Sequence, residues 1–185
     1  PWFFNGFFKE TDKFFTTNFS ELPPLADYCN NVKDLIYDNT LELNMRKEHI
    51  IDDNFDRFIE AGYSSKELIN VLLDAAKVTL EKKLKRNFKL ALPFYYHNTE
   101  TGENKIQLLA PLYFPGAPVK LALVLNKIKS SAKEYYEGVT VLPVEGAYMN
   151  SRLIVKPDEE WAKIMDEITS ADEAESIREA VDMAE

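Results

Sequence analysis

The second half of the chain alternates short apolar runs with turn-forming residues, which is the pattern of a meandering β-sheet. The runs lie at residues 88–96, 105–114, 119–128 and 135–142, and each is bounded by turn residues. The connections between them are short and contain proline, glycine or polar residues, as between antiparallel neighbours. We therefore predict an antiparallel β-meander of about four strands over residues 88 to 156.

A long amphipathic helix is predicted immediately before the meander. Ser64 or Ser65 can cap its start, and Glu67 stands at capping-box spacing from Ser64. Its apolar residues recur at three- and four-residue intervals along one stripe, formed by Leu68, Ile69, Leu72, Leu73, Ala76, Leu80 and Leu84. The helix should end near Arg86 and pack against the sheet, which makes the fold class α+β.

The segment before this helix is less regular. Residues 1–47 are aromatic, with a short strand indicated at 38–44, where Leu41 and Leu43 alternate with polar neighbours. Residues from Glu48 onward have apolar positions at helical spacing and predict one helix that stops at Gly62.

The C-terminal segment is predicted to be helical and acidic. Residues 145–155 fit either a short helix or a final strand, and their periodicity does not decide between them. Pro157 begins a helix with acidic residues in its first turn, and a further acidic helix is expected at 171–184. We predict one domain over residues 1–165, followed by an acidic helical tail over residues 166–185.

Composition and charge refine this picture. The chain has 185 residues and 45% hydrophobic content, enough for the core of one domain. Its net charge of −9 comes from residues 157–185, which hold eleven acidic and two basic residues, whereas the other 156 residues hold twenty of each. The overall acidity therefore says nothing against a nucleic-acid partner for the body of the chain.

Cysteine usage and hydropathy bear on the compartment. The single cysteine, Cys29, excludes an internal disulfide and fits a reducing environment. No stretch reaches the roughly 18 apolar residues needed to cross a bilayer, so we expect a soluble, cytoplasmic protein. The chain begins with Pro1 and an aromatic run. We expect it to be a fragment of a longer protein, in which a missing N-terminal segment or a partner chain covers residues 2–8.

The two histidines are the first candidates for chemistry, because the chain has no phosphate-binding glycine-rich loop, nucleophile-elbow serine or metal-binding histidine pair. His49, Asp52 and Asp53 share one helix face, where they could hold a divalent metal or form an ordinary polar surface. His97 ends an aromatic strand beside a polar turn. It could stack on a base, transfer a proton or have no specific role.

A basic cluster ends the long helix and is formed by Lys77, Lys82, Lys83, Lys85, Arg86 and Lys89. It leads into the aromatic run Phe94-Tyr95-Tyr96, and basic groups beside aromatic rings suit phosphate neutralisation and base stacking. Lysines at a helix C-terminus are also favoured by the helix dipole alone. Both interpretations remain open at this point.

A second polar set lies close together in the chain. Tyr148, Asn150 and Arg152 could hold a phosphate or polarise a carbonyl. Alternatively, a buried Tyr148 and Arg152 tie the last helix to the sheet through hydrogen bonds to Asp158.

Several spaced motifs resemble an uncharacterised domain of bacterial and fungal proteins, the domain of unknown function DUF3825. They are His49-Ile50-x-x-Asp53-Asn54-x-x-Arg57-Phe58, Ala91-x-Pro93-x-Tyr95-Tyr96, Ile106-Gln107-Leu108-Leu109-x-Pro111-Leu112 and Ala147-Tyr148-x-Asn150-x-Arg152-Leu153-Ile154-x-x-Pro157-Asp158-x-x-Trp161. The resemblance covers roughly residues 1–161. The chain departs from the pattern at residues 144–146. It also departs at Ser151, where that domain usually has alanine.

The resemblance implies a nucleic-acid context, because such domains are often joined to cold-shock-type modules. With the residue patterns, it leads to two sets of candidates. The candidate catalytic residues are His49, Asp53, His97, Tyr148 and Arg152. The candidate ligand-binding residues are Asn54, Arg57, Lys82, Lys83, Lys85, Arg86, Tyr95, Tyr96, Asn150 and Asp158. No cofactor and no metal are assigned.

Three functions are compatible with these observations. The first is an RNA-associated or single-stranded-DNA-associated binding or processing domain. The second is a ribonuclease or other phosphoesterase, metal-independent or metal-assisted, since the strand order is similar to small sheets of the barnase and RelE type. The third is a protein-interaction module that uses the acidic tail and the aromatic N-terminus.

Overall fold

The fold is a five-stranded mixed sheet with helices, seen in a computed structural model that describes residues 13–18, 29 and 31–182. The expectation for residues 2–8 lies outside the described residues. In chain order the elements are α1 Lys13–Asn18, β1 Glu42–Met45, α2 Lys47–Asp53, α3 Phe55–Glu60, α4 Lys66–Arg86, β2 Leu92–His97, β3 Asn104–Pro111, β4 Leu121–Lys129, β5 Glu134–Pro143, α5 Val144–Ser151 and α6 Glu159–Asp182.

The predicted meander is confirmed. Strands β2, β3, β4 and β5 pair antiparallel in sequence order, and the strand order of the sheet is β1-β5-β4-β3-β2. The predicted strand start at Phe88 is wrong, because Phe88–Leu90 forms a 3-10 turn that is capped by the Asn87 side chain, which accepts from the Lys89 N–H. The short strand expected at 38–44 is β1, which pairs parallel with β5, with Leu43 opposite Tyr136.

Helix α4 follows its predicted bounds. The Ser65 side chain caps it by accepting a hydrogen bond from the Leu68 N–H at 3.1 Å. One face is buried in the core that it shares with the sheet, through Ile69, Leu73, Ala76, Leu80 and Leu84. The predicted stripe is too wide at its edge, because Leu68 is 51% exposed.

The single helix predicted from Glu48 to Gly62 is wrong, because the chain forms α2 and α3 with a break at Asn54. Asn54 has φ −129°, outside the helical region, and its side chain is buried. Its Nδ2 donates to the Ile50 carbonyl, and its Oδ1 accepts from the Thr140 hydroxyl on β5 at 2.8 Å. These bonds compete with helical backbone bonds and attach the break to the sheet.

Arg57 covers an exposed edge of the sheet. Strand β1 pairs with β5 only as far as Gly138, so the carbonyls of β5 beyond that point have no strand partner on this side. Arg57 donates to the Val141 carbonyl and to Asn54 Oδ1. A guanidinium that satisfies an unpaired strand carbonyl protects the edge against pairing with another chain.

The C-terminal segment is helical. Residues 145–155, for which helix and strand were both open, contain α5, which contacts all four strands of the meander. A single helix, α6, replaces the two helices predicted after Pro157. Trp161 anchors it: the indole is fully buried and donates to the Leu90 carbonyl at 2.8 Å.

Glu160 makes the attachment of α6 sensitive to acid. Burial raises the pKa of Glu160, but hydrogen bonds from Lys83 and Tyr113 outweigh it and hold the pKa below its ordinary 4.5. A carboxyl whose pKa is lower in the folded state stabilises the fold above the unfolded-state pKa, and this stability is lost as the pH falls through the folded-state pKa.

We therefore expect Glu160→Gln to lose less unfolding free energy than the parent chain when the pH is lowered from about 6 to about 3. Urea unfolding at a series of pH values measures this difference. Glu159→Gln, at an exposed neighbouring position, is the matched control and should follow the parent. Identical pH profiles for Glu160→Gln and the parent would contradict the assignment.

No helix in the part of the chain that the structure describes has the length and apolar character of a membrane-spanning helix.

Candidate nucleic-acid interface

We call the end of the meander where β2 leads into β3 and β4 leads into β5 its outer end. This end presents two different side-chain surfaces. Successive strand residues point to opposite faces, and directly opposed residues of antiparallel strands share a face. We call one surface the amide face; its residues are Tyr96 on β2, Lys105 and Gln107 on β3, Asn126 and Ile128 on β4, and Tyr135 on β5. The other, the pocket face, carries Ile106 and Leu108 on β3, Leu125 and Lys127 on β4, and Tyr136 on β5.

Two amides form the centre of the amide face. Gln107 is 5% exposed, and its Nε2 donates to Asn126 Oδ1 at 2.6 Å. In the described residues no fully buried side-chain nitrogen or oxygen lacks a partner. Gln107 Oε1 and Asn126 Nδ2, which have no partner among those residues, are therefore open to solvent. Together they present one hydrogen-bond acceptor beside one donor.

Two tyrosine rings lie on the same face, in the neighbouring row toward the strand ends. Tyr96 opposes Lys105 and is 37% exposed, and Lys105 Nζ lies 5.5 Å from its ring centroid. On the far strand Tyr135 opposes Ile128, and Lys133 Nζ lies 5.2 Å from the Tyr135 centroid. Each ring thus has an ammonium group at cation–π distance. The surface combines aromatic, amide and cationic groups on one side of the sheet.

A hydrogen-bonded trio lies at the strand end on the pocket-face side. Asn104 Oδ1 accepts from the Tyr95 hydroxyl at 2.6 Å and lies 2.6 Å from His97 Nδ1. An amide oxygen only accepts, so His97 Nδ1 carries the hydrogen. His97 Nε2 is then the unprotonated nitrogen of the neutral ring, able to accept a proton.

The other predicted site residues lie elsewhere. His49 Nδ1 is 3.1 Å from Asp53 Oδ2, and both side chains are about half exposed. Asp52 instead pairs with Lys66 at 2.7 Å. Throughout residues 13–18, 29 and 31–182, no three His, Cys, Asp or Glu side chains are grouped so as to hold a metal ion.

The basic side chains at the C-terminal end of α4 have different surroundings in the fold. Lys83 pairs with Glu160 at 2.5 Å and lies 4.2 Å from the Tyr113 ring centroid, so it fastens α6. Its neighbours Lys82, Lys85 and Arg86 are exposed. The chain then runs through Phe88–Leu90 before β2 begins, and the four residue steps from Leu92 to Tyr96 span about 13 Å. These basic side chains and Tyr96 are therefore at opposite ends of β2.

The residues of α5 do not join either surface. Arg152 Cζ lies 5.7 Å from the Tyr148 ring centroid, and the guanidinium also contacts Met149 Sδ at 3.9 Å. Arg152 makes these contacts rather than the predicted hydrogen bond to Asp158, which accepts from the Glu160 N–H at the start of α6. Asn150 is exposed.

The predicted residues do not converge on one cleft. His49, Arg57 and Arg152 line three separate pockets. Asn54 and Arg57 hold the helix break to β5 through their hydrogen bonds. Of the predicted ligand-binding residues, Tyr95 and Tyr96 are the two that lie at the outer end of the meander.

Comparison with known proteins assigns the family. The model of the domain of unknown function DUF3825 matches residues 1–161, most of the chain. The chain belongs to the DUF3825 family. A search of curated proteins and a search of solved structures each gave no match.

The amide pair of this DUF3825 domain escaped sequence reasoning. Gln107 stands between Ile106 and Leu108, and Asn126 directly follows the apolar run 121–125, which is a usable signal. Their meeting depends on the β3–β4 register, which places Leu108 opposite Leu125 and so continues to Gln107 opposite Asn126. A polar residue in each of two neighbouring apolar strands indicates a cross-strand pair once that register is known.

Proposed function

We propose that this DUF3825 domain binds single-stranded RNA on the amide face. The observation that carries the proposal is the solvent-open amide pair of Gln107 and Asn126 beside a row of the same face that holds two tyrosine rings. Single-stranded nucleic acid is held by stacking of bases on aromatic rings and by cations on the phosphates. The amide face offers both kinds of contact.

Each group has a defined role in the proposal. Tyr96 and Tyr135 are three strand spacings apart, about 14 Å, in the row next to the amides, so a base between the two rings can reach the amides with its edge. Gln107 Oε1 and Asn126 Nδ2 pair with the donor and acceptor on the edge of that base. The ammonium groups that accompany the rings move away from them to neutralise phosphates. Glu137 opposes Asn126 at the border of this surface and can accept from a base amino group.

The test is fluorescence anisotropy with a labelled single-stranded RNA at low salt. We expect Lys105→Glu and Tyr96→Ala each to weaken binding at least about tenfold, since a phosphate contact is reversed or a stacking ring is lost. Lys163→Glu makes the same charge change at an exposed position on α6 and should stay within about twofold. Single-stranded DNA of the same sequence shows whether the 2′-hydroxyl contributes.

Absence of RNA binding by the parent chain at low salt would overturn the proposal. Equal weakening by Lys105→Glu and Lys163→Glu would place any binding elsewhere. Thermal unfolding of each variant, followed by circular dichroism, separates lost binding from lost structure.

The Tyr95–Asn104–His97 trio favours a second function, metal-independent cleavage of RNA. His97 Nε2 would take the proton of a ribose 2′-hydroxyl while the 2′-oxygen forms a bond to the adjacent phosphorus. The bond from phosphorus to the 5′-oxygen breaks, and the leaving oxygen takes a proton from the imidazolium or from water. The products are a 2′,3′-cyclic phosphate and a 5′-hydroxyl end.

Cleavage is tested with RNA in excess chelator. We expect cyclic-phosphate products, a loss of at least about tenfold in rate for His97→Gln, and intact DNA, which lacks the attacking hydroxyl. Asn104→Leu should also slow the reaction, because the His97 ring loses the hydrogen-bond acceptor that fixes its tautomer. Cleavage that survives in His97→Gln would remove this function while leaving RNA binding on the amide face intact.

A further inference from the structure

A pocket of about 470 Å³ opens along β3 and β4, and its lining includes pocket-face residues together with Lys105, Gln107 and Asn126 of the proposed RNA surface. Its floor is apolar: Leu108 and Leu125 are buried, and Ile106 is half-buried. Its volume is in the range of sites that hold small organic ligands. Its polar lining includes Asn104, Lys127 and Lys129, together with the acidic Asp34 and Glu103.

Lys127 is the unusual group of this pocket. Its side chain is only 15% exposed, yet its ion-pair partner, Glu134 Oε2, is 3.9 Å away. That distance is too long for a hydrogen bond, so the three N–H donors of the ammonium are left to solvent or a ligand. The half-buried stem of Lys127 holds the ammonium at the pocket, where a bound anion can accept its N–H groups.

The charges around Lys127 come from several elements. Asp38, in the segment before β1, is close enough for Lys127 to help lower its pKa, after the larger effect of hydrogen bonds from Thr40. Lys129 at the rim pairs with Asp34 at 3.4 Å and is half exposed. The weak pairs with Glu134 and Asp34 can open in favour of a phosphate, which accepts several hydrogen bonds at once.

We infer that this pocket binds a small organic anion with a flat apolar body, of the class of the nucleoside monophosphates. The phosphate lies against Lys127 and Lys129, and the base covers the apolar floor. Asn104 Nδ2, which has no partner in the part of the chain that the structure describes, donates to the ligand. The inference does not rest on RNA binding, because the ammonium groups that hold the anion, Lys127 and Lys129, are not part of the amide face.

Calorimetric titration of the full chain tests the inference with three probes: adenosine monophosphate, adenosine and inorganic phosphate. We expect the nucleotide to bind at least about tenfold more tightly than either half alone, because floor and ammonium act together. Lys127→Met, which keeps the apolar stem, should weaken nucleotide binding at least about tenfold. Lys127→Arg should retain it, and Lys163→Met is the control on α6.

Equal affinity for adenosine and its monophosphate would overturn the inference, as would no binding of the nucleotide at millimolar concentration. Unchanged nucleotide binding in a folded Lys127→Met would do the same. If Lys127→Met does not fold, the comparison of the three probes on the parent chain still tests the inference.

Competition by RNA that carries a 5′-phosphate, but not by 5′-hydroxyl RNA, identifies a strand end as the source of the nucleotide. Loss of RNA binding in Tyr96→Ala, at a residue that does not line the pocket, leaves this result unaffected.

Discussion

Replacing Trp161 by alanine is expected to lower the free energy of unfolding by about 3–5 kcal/mol, because a large side chain is removed from the core. The indole is fully buried, and its N–H donates to the Leu90 carbonyl at 2.8 Å. Alanine would leave a cavity where α6 meets the segment that leads into β2, and it would leave that carbonyl without its donor. Urea unfolding followed by circular dichroism measures the loss.

Trp161→Phe separates the two contributions. Phenylalanine keeps most of the apolar volume but removes the donor, so we expect a smaller loss of about 1–3 kcal/mol. Met165→Ala, at a half-buried position one turn further along α6, is the control for helix α6 itself. If Trp161→Ala costs no more than Met165→Ala, then Trp161 is not the anchor of α6.

Replacing Asn54 by alanine is expected to cost about 2–4 kcal/mol, since buried hydrogen-bonding groups lose their partner. Asn54 Oδ1 accepts from Thr140 Oγ1 at 2.8 Å and from Arg57 Nη1 at 2.6 Å. The change also removes the bond to the Ile50 carbonyl that accompanies the break between α2 and α3. The loss is measured as the change in the urea midpoint at constant slope.

A double-mutant cycle with Thr140→Val identifies the cause. Valine has nearly the shape of threonine but no donor, so the second substitution should cost less in the Asn54→Ala background than in the parent. Additive costs would mean that Asn54 and Thr140 are energetically independent, contrary to the 2.8 Å hydrogen bond.

The meander and α4 were predictable because their patterns are local. Alternating runs between turn residues indicate strands, and Leu73, Leu80 and Leu84 recur at helical spacing, whatever the rest of the chain does. The parallel pairing of β1 with β5 was not predictable, since it joins Leu43 to Tyr136 across most of the domain. The break at Asn54 was missed for a similar reason: its side chain is held by a residue of β5, far along the chain.

The candidate site was predictable only in part. Tyr96 belongs to an aromatic run at the end of a strand, and such a run is visible in sequence. Lys105 and Tyr135 carry no such signal by themselves, and they join Tyr96 only through strand pairing. Lys83 illustrates the opposite case. The sequence places it in a basic run that suggests a binding surface, but in the fold it pairs with Glu160.

The measurement that tests the central proposal most directly is a nitrogen-15 NMR titration of the full chain with single-stranded RNA. The proposal predicts the largest shifts at the side-chain amides of Gln107 and Asn126 and at the backbone of Tyr96, with Lys82 and Lys85 unchanged. Shifts confined to the end of α4, or unchanged signals from both amides at saturating RNA, would contradict it.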